Sequence, residues 1–206
     1  MIVVTADQGT PEWFAARLGK PTGSGYKNVL AKGEGKTRKN YIVQLALEVA
    51  TGFVAPSFTS IPMQDGTDRE PLARGLYESS RGVFVDEVGF CLHDTIATGV
   101  SPDGLLGKSG MIEIKCPTPS VHLEYMARKD EPPAYTAQIQ GQLWVAEREW
   151  CDFVSYHPEF PENARLVVRR VFRDDKYIKN LESEVIRFID DIAAEVEFIR
   201  NYQEAA

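Results

Sequence analysis

Residues 111–117, Met-Ile-Glu-Ile-Lys-Cys-Pro, constrain this chain more than any other stretch. Ile112, Ile114 and Cys116 alternate with Glu113 and Lys115, the period-two pattern of a half-buried strand, and Pro117 closes it. Successive side chains of a strand point to opposite faces, so Glu113 and Lys115 leave the same one. Just upstream, residues 97–107 read as strand, turn, strand, with Pro102, Asp103 and Gly104 supplying the turn. The chain therefore sets one acid after a strand, and an acid and a lysine on a following strand. Asp103 and Glu113 can hold a hard divalent cation through oxygen ligands, and Lys115 can reach a water or phosphate bound to it. A plainer reading stays open from these residues alone: a hairpin in which Asp103 caps its own turn and the charged pair faces water.

A Glu-x-Lys triplet by itself carries little weight, since a chain of this length holds about one by chance. A second triplet, Glu34-Gly35-Lys36, lies in a polar, glycine-rich loop with no strand to fix its geometry.

The 206 residues, 43% hydrophobic, suffice for a single domain spanning 1–206 with a proper core. No apolar run approaches the roughly 20 residues of a membrane span. The N-terminus, Met-Ile-Val-Val-Thr-Ala-Asp, lacks the basic start and long apolar stretch of a signal peptide. Cys91, Cys116 and Cys151 are too widely spaced for a zinc knuckle, an iron–sulfur cluster or a disulfide framework, and they fit a reducing, cytoplasmic setting. His93, His122 and His157 are scattered and read as surface or satisfied histidines. A net charge of −7 argues against simple non-specific coating of DNA. Local basic surface remains available: Lys20, Lys27, Lys32, Lys36, Arg38 and Lys39 fall close together with few acids among them.

Helical signals begin at Thr10-Pro11-Glu12, where Thr10 is a natural N-cap and Pro11 suits the first helical position. After Gly19-Lys20-Pro21, the segment Thr22-Gly23-Ser24-Gly25 leads into a second helix near 26–30. Its hydroxyls could serve an anion, or Thr22 or Ser24 could simply cap the helix. Further helices are expected at 38–51 (closed by Gly52), 67–80, 120–128, 134–147 and 174–202, with 53–65 as a loop. The 67–80 helix takes Asp65 or Thr67 as its cap, and Pro71 is expected within its first turn. Gln138 and Gln142 share a helix face. Strands are expected at 82–90, 94–100, 111–116, 151–156 and 165–172. The result is an α/β (α+β) chain with a central mixed sheet flanked by helices.

The same residues resemble a known family, the bacteriophage lambda exonuclease or YqaJ-type viral alkaline exonucleases, over about residues 8–190. Five blocks carry the resemblance, in family order. Trp13-Phe14-Ala15-Ala16-Arg17-Leu18-Gly19 with Thr22-Gly23-Ser24 is similar to the N-terminal block. Gly66-Thr67-Asp68-Arg69-Glu70 with Ala73-Arg74 is similar to the second. Ser101-Pro102-Asp103-Gly104 and Glu113-Ile114-Lys115-Cys116-Pro117 look like the core of a PD-(D/E)xK, restriction-endonuclease-like nuclease. The helix from Tyr135 through Gln138 and Gln140 looks like the family's Y-x-x-Q-x-Q segment.

The resemblance implies roles for individual residues. Asp103 and Glu113, with the backbone carbonyl of Ile114, would bind metal, and Glu70 would be a third acid. Lys115 would orient or activate the attacking water, with Gln138 beside the scissile bond. Arg17, Ser24, Ser101 and Gln138 would form a pocket for a 5′-phosphate. Met63 would act as a wedge at the duplex end, and Lys32, Lys36 and Arg38 would touch DNA. The implied activity is removal of 5′-mononucleotides from one strand of linear double-stranded DNA, 5′ to 3′, leaving 3′ single strands for phage-type recombination. It would use two Mg²⁺ ions per site, with Mn²⁺ able to substitute. A single-strand annealing protein and a ring-shaped homotrimer are implied too. Two alternatives stay open: an endonuclease on the same core, and a non-catalytic DNA clamp or recombinase-loading module. The chain departs from the family pattern at Pro71, directly after Glu70, and is short for the family.

Overall fold

The computed structural model describes residues 1–6, 8–32, 35–54 and 61–203, with 61–65 and 67 described by backbone alone. Two sheets organise it. The larger contains β4 (Gly104–Leu106), β5 (Gly110–Lys115), β6 (Trp150–Tyr156) and β7 (Leu166–Phe172) in that order. β5 runs parallel to β6, while β4–β5 and β6–β7 are antiparallel, so this is the expected mixed sheet. A smaller antiparallel sheet joins β1 (Ile2–Val4), β2 (Phe90–Leu92) and β3 (Gly99–Val100).

Helices cover both faces of the larger sheet. The parallel β5–β6 pair requires a crossover, and α5 (Pro119–Ala127) and α6 (Pro133–Val145) supply it. The alternation at 111–116 sorts into the two layers. Ile112 and Ile114 pack with Ala73 and Tyr77 of α4 (Ile61–Arg81), whereas Met111 packs with Ile139 and Leu143 of α6. A third cluster joins α2 (Tyr26–Val29), α3 (Thr37–Thr51) and α7 (Asp175–Arg200). In α7 the residues Leu181, Val185, Phe188, Ile192 and Val196 are buried at helical spacing, so the apolar stripe is core. Asp174 caps that helix by accepting from the amides of Lys176 and Tyr177. At the end of α3, Gly52 takes φ +74°, a left-handed stop suited to glycine.

The N-terminal signals also hold: α1 (Pro11–Arg17) starts on Thr10, whose side chain accepts from Trp13 N. Several expectations fail, each for a physical reason. The helix expected from 67 runs from Ile61, so neither Asp65 nor Thr67 begins it, and 61–65 is not loop. Pro71 accordingly lies in its interior. An interior proline forfeits one ladder bond and costs about 3 kcal/mol. Burial of Ala73 and Tyr77 against the sheet offsets that. Residues 82–89 form no strand apart from a single bridge between Asp86 and Leu105. Of 94–100, only Gly99–Val100 pairs in a strand. Val83-Phe84-Val85 has β propensity, but Phe84 is 89% exposed and has no sheet to pack on. Strand β1 went unforeseen.

Gly141 lets α6 approach α2. A Cβ there would overlap the ring of Tyr26, a fully buried residue whose hydroxyl bonds Thr98 Oγ1 at 2.7 Å. Alanine gains roughly 1 kcal/mol of helix propensity over glycine, but overpacking a closed core costs about 1–3 kcal/mol. Gly141→Ala should therefore lower stability in urea unfolding, despite its better propensity.

Candidate active site

The β4–β5 register pairs Gly104 with Ile112, which brings Asp103 alongside Glu113 and Ile114. Asp103 Oδ2 accepts from the Ile114 amide at 2.6 Å. Asp103 thus does more than cap its turn: it is tied across to the strand that carries the second acid. Glu113 is 0% exposed. A carboxylate removed from water costs several kcal/mol unless its oxygens are satisfied, and here both are. Oε1 pairs with Lys115 Nζ and accepts from Gln138 Nε2 at 2.6 Å, while Oε2 accepts from Gln142 Nε2 at 2.7 Å. The period of two puts Lys115 beside Glu113, and one helical turn puts Gln142 beside Gln138.

Glu70 comes from α4, where Arg74 Nη2 donates to its Oε1 at 3.3 Å and Nη1 reaches Glu87 at 2.7 Å. Interior position notwithstanding, Pro71 leaves Glu70 near the cluster, where it senses the charges of Lys115 and Glu113. Burial raises the Glu70 carboxyl above its ordinary value, Arg74 and Lys115 oppose that, and Glu113 adds to it. Asp103 is pushed well above the usual carboxylate range, first by burial and then by Glu113. Burial pulls the Lys115 ammonium down, but Glu113 and Asp103 outweigh it and hold it up. Lys115 Nζ also lies 5.2 Å from the Tyr135 ring centroid.

A second group of residues stands next to this one. The Arg17 guanidinium lies 4.0 Å from the Trp13 ring centroid, within 3.5 Å of Ser101 Oγ and 3.3 Å of Thr22 Oγ1. Trp13 Nε1 approaches the same Ser101 Oγ at 3.3 Å. Burial lowers the Arg17 pKa, with Tyr41 and Glu48 opposing. Thr22 makes no side-chain cap; its hydroxyl serves Arg17, and its amide donates to Tyr41 Oη at 3.2 Å. Arg17, Lys20, Thr22 and the exposed Ser24 line a cleft of about 710 Å³.

Not every expected residue joins. Lys32 and Lys36 are exposed near the start of α3, and Arg38 pairs with Asp191 of α7 at 2.7 Å. None of the three bonds to the Glu113 cluster among the described residues. The side chain of Met63 lies outside the described residues, as does Glu34 of the rival triplet. Gln140 turns to the other side of α6, donating to Phe172 O at 2.9 Å and accepting from Asp174 N at 2.9 Å, a structural tie. His122 is satisfied by Ser155 Oγ and Ala164 O.

The reading from sequence missed the buried Gln142, Arg74 as the partner of Glu70, and Thr22 as a support for Arg17. Helical spacing from Gln138 and from Glu70 was the available signal for the first two. Among the described residues, no three His, Cys, Asp or Glu side chains close around a common point, because Glu113 is held by Lys115 and two amides, and Glu70 by Arg74.

A mixed sheet with helices on both faces, an acid heading one strand and an acid and lysine on the next, defines a PD-(D/E)xK nuclease fold. The chain matches the YqaJ-like viral recombinase domain over residues 12–149 and belongs to that family, the group that includes lambda exonuclease. The alkaline exonuclease LHK-Exo of Laribacter hongkongensis has 41% identity and a TM-score of 0.86, covering 93% of this chain and 96% of that one. Its complex with dAMP superposes with a TM-score of 0.87 over the same shares, at 41% identity. A phage-related exonuclease from Haemophilus somnus 129PT, at 17% identity, shares the fold with a TM-score of 0.71, covering 87% of this chain and 96% of that one. No curated protein sequence matches. These relationships support a nuclease role. With 96% of LHK-Exo covered, the chain is not short beside that neighbour.

The electrostatics give a test. A carboxyl whose pKa is raised by folding adds stability below its unfolded value, and that stability is lost as pH rises through the folded value. Ionised Asp103 is therefore a burden on the metal-free protein. Asp103→Asn should raise the thermal midpoint in chelator at alkaline pH. The gain should vanish below about pH 4, where an ordinary aspartate is itself neutral.

Proposed function

We propose that this protein is a Mg²⁺-dependent exonuclease that digests one strand of linear double-stranded DNA from its 5′ end. It releases 5′-mononucleotides and leaves 3′ single strands for phage-type recombination. The observation that carries the reading is the adjacency of two groups: the Asp103–Glu113–Lys115 cluster and the Arg17–Ser101 pocket meet at Ser101, two residues before Asp103. The dAMP complex of LHK-Exo supports a mononucleotide as product.

The residues fit a hard cation. Asp103, Glu113, Glu70 and the Ile114 carbonyl are oxygen donors, and the three acids outnumber the one lysine among them. Burial and mutual repulsion raise the pKa of Asp103, a cost that a divalent ion relieves. Two Mg²⁺ ions, or Mn²⁺ in their place, would supply an activated water and charge stabilisation at the leaving oxygen. The chain's own groups do the rest. Arg17 offers a planar fork to the two oxygens of a terminal phosphate, with the Ser24 and Ser101 hydroxyls as further donors. Lys115, held protonated by its carboxylate neighbours, donates to a phosphate oxygen or orients water rather than removing a proton. Gln138 donates to Glu113, and on this reading it lies beside the scissile bond. Lys32, Lys36 and Arg38 contribute to duplex contact at the surface, and Met63 wedges the end pair. Membership of a viral recombinase family supports a single-strand annealing protein as partner, and the reading extends to a ring-shaped homotrimer in the cytoplasm of a bacterial host.

The test is a linear duplex with one 5′ end phosphorylated and the other bearing a hydroxyl, run beside closed circles. Mononucleotides should appear from the phosphorylated end in Mg²⁺ and not in EDTA, with circles intact. Cut circles would point to an endonuclease, and binding without cutting to a clamp.

A further inference from the structure

Gln142 lies on α6 one turn beyond Gln138 and is 1% exposed. Its Nε2 donates to Glu113 Oε2 at 2.7 Å and lies 3.4 Å from the carbonyl oxygen of Ser101. Its Oε1 is buried with no hydrogen-bond partner among the described residues. The loop that carries Ser24 passes nearby: a Cβ on Gly23 would come to 3.7 Å from Gln142 Cγ.

The orphaned oxygen is informative. An unsatisfied buried acceptor costs about 1–3 kcal/mol. Turning the amide over would set Oε1 against the Glu113 carboxylate, acceptor against acceptor. The orientation with Nε2 on Glu113 wins because a bond to an ionised acceptor is roughly twice as strong as a neutral one. The side chain leaves one oxygen unpaired in order to hold this carboxylate.

Ser101 faces both ways. Its hydroxyl meets Arg17 and Trp13, and its carbonyl faces Gln142. Gln138 bonds only the other oxygen of Glu113, which it shares with Lys115.

We infer that Gln142 is a positioning residue that keeps the Glu113 carboxylate in register with the 5′-phosphate pocket, acting through Ser101. This rests on the proposed function. A phosphate seated on Arg17 and Ser101 fixes Ser101, Gln142 carries that position to Glu113, and a phosphorylated end is then cut faster than a hydroxyl end.

Gln142→Met keeps the length and approximate volume and removes the orphaned oxygen, but it leaves Glu113 Oε2 without its donor, so the thermal midpoint should fall. Gln142→Asn, which keeps an amide one methylene shorter, is the second variant should Met not fold. Three readouts apply: nucleotide release from 5′-phosphorylated and 5′-hydroxyl duplexes in Mg²⁺, the Kd of the same duplexes by fluorescence anisotropy in EDTA, and the thermal midpoint. Both Kd values should match wild type, since Arg17 and the hydroxyls remain. The kcat on the phosphorylated end should fall on the order of tenfold to a hundredfold, the scale of a small misplacement of a reacting group. The ratio of phosphorylated to hydroxyl rates should fall toward one. A variant that keeps the wild-type rate and end preference overturns the inference. So does one that loses binding to both ends equally, which marks a merely structural role. A wild-type protein indifferent to the 5′-phosphate counts against the proposed function itself, and against the inference with it.

Discussion

Everything in this site depends on a carboxyl group that has been taken out of water and given partners at both oxygens. Glu113 lies in the middle layer of the protein, on a strand paired on both sides, beneath two helices of the crossover. Left alone, such a group would cost more than a domain's margin of about 5–15 kcal/mol could bear, or it would take up a proton. Lys115 from its own strand and two amides from α6 hold it instead. That requirement explains why α6 must sit where it does, why Gly141 lets it approach Tyr26 so closely, and why the Ser24 loop and Ser101 are drawn into the same neighbourhood.

The two halves of the site are built differently. Around Glu113 the donors are close, with Gln142 buried and Lys115 and Gln138 half-buried. Around Arg17 the supports are an aromatic face and hydroxyls at longer range, with an open cleft beside them. A closely bonded centre next to a more open cleft suits the proposed activity, in which a new chain end must be gripped after each cut. Pro71, which looked like a threat to Glu70, is absorbed because α4 draws its stability from the sheet beneath it rather than from an unbroken ladder.

Much of this was legible in the sequence, and the failures are instructive. The strand near 111–116, the cap at Thr10, the stop at Gly52 and the stripe of α7 are local signals, and the fold keeps all four, although both faces of the strand are buried where the alternation read as half-buried. The apolar run at 83–85 was misleading because only Asp86 pairs with the edge strand β4, through Leu105, while Phe84 stays exposed with nothing to pack against. Asp103, Glu113 and Lys115 could be picked out because a turn and a period of two tie them together. For Gln142 the helical spacing from Gln138 gave only a shared face; a glutamine on a helix is ordinarily solvated, and its tertiary position between Glu113 and Ser101 is what shows its part. The basic residues at 32–38 read as one patch, but Arg38 is engaged by Asp191.

The most direct test of the account is the activity of Glu113→Gln, which keeps the shape and the neighbours while removing the charge. The variant should bind duplex ends in EDTA as the wild type does, yet lose Mg²⁺-dependent nucleotide release by more than about a hundredfold, since groups that merely orient a metal ligand are already worth 10–100-fold. A Glu113→Gln protein that releases nucleotides at close to the wild-type rate would contradict the claim that this buried carboxylate is the centre of the active site.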